Sequence, residues 1–161
     1  MDTPTNEYYI EKSRMPVAIT LLGGTAMGGS IFILASARLF AATEDAPEFM
    51  NAPDPFFPFR RDDGATILVA KHHVLTVEVD REFAPSSDWS YGEKATVEVV
   101  MQGGSVHRGE FSLEHYLGHA RVLDHMNRYT EPFVILQQGA GVTLLNRQHI
   151  AYIHPLDDAA A

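Results

Sequence analysis

The chain is written twice, and that repeat limits the folds open to it more than any other feature. Val17-Ala18-Ile19-Thr20 leads to Gly23-Gly24-Thr25, and Val97-Glu98-Val99-Val100 leads to Gly103-Gly104-Ser105. Glu48-Phe49-Met50-Asn51 is answered by Asp124-His125-Met126-Asn127, and Asp54-Pro55-Phe56 by Glu131-Pro132-Phe133. Ala70-Lys71-His72-His73-Val74 is answered by Asn146-Arg147-Gln148-His149-Ile150. Because these matches keep one order, residues 97–154 restate residues 17–79, and any architecture proposed for one half must also suit the other.

Each copy reads as short strands. In the first, strands over 16–22 and 26–35 flank Gly23-Gly24, and strands over 56–61 and 65–70 flank Asp62-Asp63-Gly64, where glycine supplies a positive φ. A strand over 74–79 follows, in which Leu75, Val77 and Val79 alternate with Thr76 and Glu78. Between 36 and 55 the pattern is irregular, with room for a helical turn or two around 38–50, and Pro47 and Pro53 keep any helix there short. The second copy has strands over 95–102, 105–113, 132–137, 142–146 and 149–154. It also has a helix over 114–127, where Tyr116, Ala120, Leu123 and Met126 recur at helical spacing. The expected fold is mainly β: two tandem small five-stranded β-barrel-like modules, with a short helix inserted in the second. Closure of each module would remove its exposed edges. The organisation is a flexible arm at 1–15, a module at 16–80, a linker at 81–94, a module at 95–155 and a tail at 156–161. Trp89, in the linker, is expected to pack against a module.

Residues 15–37 carry no charge and are long enough to span a bilayer, so they imitate a membrane or signal segment. Gly23, Gly24, Gly28 and Gly29 crowd the centre of that stretch, and Val17, Ile19 and Leu21 alternate with smaller or more polar neighbours. The matching stretch of the second copy carries Glu98, His107, Arg108 and Glu110. A strand-turn-strand without a membrane span therefore fits both copies. The low polarity of the first copy suggests that its strands are covered on both faces, by the second copy or by another subunit.

At 161 residues, one medium domain or two very small ones can form. The chain has no cysteine, which excludes disulfides and thiolate chemistry and fits a cytoplasmic location. Its formal charge of −9, with only 12 scattered basic residues, disfavours nucleic acid as a partner.

The order of strands and turns, with Asp124-His125-Met126-Asn127 and Arg147-Gln148-His149-Ile150, resembles Sm-like and SH3-like small barrels. In the Sm-like family that resemblance implies an RNA-base pocket at Asp124, Asn127 and Arg147. Two departures weigh against carrying the pocket over: Gly109 stands too far before Asp124, and no glycine follows Arg147. The pattern Arg121, Asp124, Asn127 and Phe133 also resembles uncharacterised bacterial small-barrel domains, a likeness that implies no activity.

Arg121, Asp124 and Asn127 would descend one flank of the expected helix, as an ion pair and a terminal cap or as a binding site completed by Arg147. His115 and His119 have the spacing of a metal-binding pair, for which Glu114, His107 or His125 could supply a third ligand, although His125 falls off their helical face. His73 and His149 hold matched positions before the last strand of each copy, which suggests a hydrogen-bonding role. No nucleophile elbow or phosphate loop is present, and no cofactor is expected. The sequence thus points to a non-catalytic interaction or scaffold protein that binds a protein partner or self-associates, as a homo-oligomer or within a complex. The alternatives are an Sm-like RNA-binding protein and a metal-dependent enzyme.

Overall fold

Glycines at positive φ set the turns from which the architecture grows. The structure, a computed structural model, describes residues 12–34, 45–80, 93–113, 121–139 and 141–156. Strand β1 (Lys12–Leu21) turns through Gly23 and Gly24 into β2 (Ala26–Leu34). Strand β6 (Glu93–Met101) turns through Gly103 and Gly104 into β7 (Val106–Leu113). All four glycines have φ between 92° and 98°, a region that side chains strongly disfavour. Strands β3 (Phe56–Arg61) and β4 (Thr66–Ala70) meet at Gly64. There the Asp63 carboxylate accepts the Ala65 N–H at 2.9 Å and pairs with Arg61, and the backbone bond foremost holds it below the usual carboxylate range. In the second half β8 (Phe133–Gln138) and β9 (Gly141–Asn146) take their place. Single 3-10 turns, Lys71–His73 and Arg147–His149, then lead into β5 (Val74–Asp80) and β10 (Ile150–Pro155).

The repeat recurs bond for bond. Leu22 N–H donates to His73 O at 2.8 Å, and Gln102 N–H to His149 O at 2.7 Å. Lys71 N–H donates to Pro55 O and Arg147 N–H to Pro132 O, both at 2.8 Å. The first and last strands of both halves shift register at the same place, beside Leu21 and beside Ile150. A helix occurs in both halves, α1 (Ala46–Asn51) and α2 (Val122–Arg128), and α1 is short and overlaps the stretch around 38–50 where the sequence allows a helical turn or two. Asp45 caps α1 by accepting the Glu48 N–H, and Pro47 sits in the first turn, where its missing donor costs nothing. Helix α2 opens at Val122, and residues 114–120 of the expected helix lie outside the described residues. Arg121 is its extended N-cap, at φ −125° and ψ 144°. Arg121, Asp124 and Asn127 therefore do not descend a common helical flank.

The ten strands form one antiparallel sheet in the order β10-β6-β7-β8-β9-β5-β1-β2-β3-β4. This corrects the expectation of closed modules: among the described residues, β4 does not pair with β5, nor β9 with β10. Instead β5 pairs with β9 across the halves, Thr76 opposite Leu145 and Val79 opposite Val142. The fifth strand of the first half thus takes the fourth strand of the second as its neighbour. β4 and β10 are left at the two ends of the sheet.

Two hydrophobic clusters lie along this sheet, one per half, and they exchange residues at the β5–β9 seam. Phe133, Val142 and Leu144 belong to the first cluster, and Leu75 to the second. β5 and β9 are consequently apolar on both faces, as strands covered twice must be. The low polarity of the first hairpin has a different cause from the one expected. Met15, Val17 and Ile19 are buried while Pro16 and Ala18 face solvent, so β1 is covered on one face only. Gly29 is buried because β2 passes hard against β3: a Cβ there would meet the Arg60 carbonyl and lie 2.6 Å from the Phe59 ring. Gly109 holds the same place against the Gln137 carbonyl, with Leu136 at 2.8 Å. No helix among the described residues is long and apolar enough to cross a membrane.

Candidate interaction surface

At the seam between the halves, β5 pairs with β9 and each side contributes distinct residues. The donor side is the start of β8 with β9, and it places Phe133, Val142 and Leu144 at 1%, 6% and 0% exposure in the first core. The receiving side is β5 with α1. Asn51 of α1 grips the donor backbone in both directions: Phe133 N–H donates to Asn51 Oδ1 at 2.8 Å, and Asn51 Nδ2 donates to Phe133 O at 3.3 Å. Lys71 Nζ donates to the Phe49 and Ala52 carbonyls at 3.1 and 2.8 Å, which fixes the C-terminal end of α1. From the donor side, Asn146 Nδ2 donates to Val74 O at 2.9 Å. Removing the clamp strands the Phe133 N–H, while the Phe133 carbonyl keeps the Tyr129 hydroxyl at 3.3 Å, so Asn51→Ala is expected to cost about 1–3 kcal/mol in urea unfolding. Asn127→Ala, at the matched but exposed position, should cost no more than about 0.5 kcal/mol.

The same two surfaces recur at the ends of the sheet, with no strand against them among the described residues. Phe56 and Leu68 match Phe133 and Leu144, yet they are 57% and 74% exposed. At the far end, a groove of about 420 Å³ runs between α2 and β10. It is lined by Val122, Leu123, Met126, Ile150, Tyr152 and Ile153. Leu123 and Tyr152 are themselves exposed. Of the five large hydrophobic residues exposed among the described residues, only Val106 lies away from these two ends, so the exposure is concentrated rather than scattered.

The expected site residues divide accordingly. Arg147 lines this groove beside α2, and its Nε is buried without a hydrogen-bond partner among the described residues. Asp124 lies in the first turn of α2, half-buried, and Arg121 caps that helix from an exposed position. Asn127 stands where Asn51 makes its clamp in the first half. Of the four, Arg147 alone lines the groove, while Arg121, Asp124 and Asn127 belong to α2 or its N-cap, the helix on its flank. His149 reaches across the seam to the His72 carbonyl, a hydrogen-bonding role of the kind expected, whereas His73 is exposed. His115, His119 and Trp89 lie outside the described residues, and no group of metal-ligating side chains occurs among those described. Sequence reasoning missed Phe56, Leu68 and Tyr152. Their signal was available in the repeat, since Phe56 and Leu68 are apolar residues matched to buried ones.

No family model matches the chain, and neither a curated protein nor a solved structure matches it.

Proposed function

We propose that the protein is a non-catalytic assembly protein that binds protein through the two open ends of its sheet. The observation that carries this reading is the pairing of unpaired strand edges with exposed apolar residues. β4 ends the sheet beside Leu68 and Phe56, and β10 ends it beside Tyr152 and the α2 groove. An edge strand offers a row of free N–H and C=O groups, and strand addition to such an edge is a general mode of protein recognition. The strand order within each half (fifth, first, second, third, fourth) and the 3-10 turn before the fifth strand support reading each half as a small-barrel module of Sm-like or SH3-like kind. In that reading the module is completed by a neighbour's strand and not by its own.

A photo-crosslinking residue placed at Leu68 or at Tyr152 in the source cell tests the reading. Protein adducts are expected from both positions and none from Ala18, which is exposed on β1 away from either edge. Absence of adducts from both edge positions would remove the proposal.

A further inference from the structure

We infer that the partner at these ends is a second copy of the chain, docked head to tail by repetition of the internal β5–β9 seam. This rests on the assembly reading above and names its occupant. The internal seam is a heterologous contact: the fourth strand of one module lies on the fifth strand of another. One chain uses that contact once and retains one unused half of it at each end. Strand β4 corresponds to β9, and β10 to β5, so β4 of one copy is built to lie on β10 of the next. Applying the same operation again propagates the assembly in one direction, as heterologous interfaces do.

The register follows from the repeat. Val77 opposite Leu144 becomes Ile153 opposite the second copy's Leu68, and Glu78 opposite Thr143 becomes His154 opposite its Ile67. Phe56 and Leu68 would then enter the groove of Leu123, Met126 and Ile153, as Phe133 and Leu144 enter the first core. Asn127 would clamp the backbone at Phe56 as Asn51 clamps it at Phe133. Two substitutions make this contact weaker than its template. Pro155 stands where Val79 carries an N–H, and Ala70 stands where Asn146 donates to Val74. The chain-to-chain contact is therefore reversible, while the internal one is fixed.

Because the chain contains no cysteine, introduced thiols report the contact directly. Two single variants, Ile67→Cys and His154→Cys, are oxidised separately and mixed. The inference expects a disulfide-linked pair of chains only in the mixture, because facing strand positions come within disulfide reach. Leu68→Cys mixed with His154→Cys should give none, since a one-residue offset turns the side chains to opposite faces. Leu68→Asp in the otherwise unmodified chain should weaken association by roughly a hundred-fold in sedimentation, the scale of one desolvated anchor. Links within a single variant, or no link in the mixture while Leu68 and Tyr152 still yield photo-adducts, would overturn the head-to-tail copy and leave the assembly reading standing. Loss of the photo-adducts as well would overturn both.

Discussion

Phe133→Ala is expected to lower the free energy of unfolding by about 3–5 kcal/mol, while Phe56→Ala changes it by no more than about 0.5 kcal/mol in dilute solution. The two residues hold matched places in the repeat, and each opens the third strand of its half. They differ in what covers them. Phe133 is 1% exposed within the core of the opposite half, whereas Phe56 is 57% exposed at the end of the sheet. Truncating Phe133 opens a cavity that α1 and β5 cannot close without giving up the Asn51 clamp on its backbone. Urea unfolding of both variants below the concentration of self-association checks the contrast. Equal losses would mean that the seam contributes nothing particular to stability.

A second large effect is expected at Gly29 and Gly109. Alanine at either position should cost at least about 2–3 kcal/mol, because the added methyl meets the backbone of the adjacent strand. Neither glycine has a positive φ, so the cost is one of closeness and not of backbone conformation. Gly28 supplies the control. A methyl there meets only the carboxylate end of Asp62, an exposed side chain that can swing aside, so Gly28→Ala should fall within about 0.5 kcal/mol. Thermal unfolding of the three variants separates the cases, and a mild Gly29→Ala would show that β2 and β3 can part at low cost.

These residues also mark how far the fold can be read from the chain. The strands and hairpin turns are legible because Gly23, Gly24, Gly64, Gly103 and Gly104 announce themselves by local chemistry. Helix α1 is legible only as a short turn: in the sequence Pro47 limits its length, whereas in the fold it sits in the first turn behind the Asp45 cap. Gly28 and Gly29 mislead, since strand glycines pressed against a neighbour look like turn glycines until the pairing is known. The seam is the hardest feature, because Thr76 and Leu145 meet over a long separation that no window along the chain can capture. Its trace is the apolar run Val74-Leu75-Thr76-Val77 and its counterpart Val142-Thr143-Leu144-Leu145, too continuous for strands covered on one face. Of the candidate site, Asn127 and Arg147 were found through the resemblance to small barrels, but the apolar residues around them acquire meaning only beside their buried counterparts.

The exchange of residues at the seam also bears on how the protein is made. Phe133, Val142 and Leu144 complete the core of the first half, yet they are synthesised well after it. A nascent first half therefore leaves the ribosome with β5 bare and its apolar interior unfinished, and must wait for the chain behind it. During that interval the β9 strand of any neighbouring chain is as good a fit as its own, so crowding on a polysome would favour exchanged, interlocked molecules over self-contained ones.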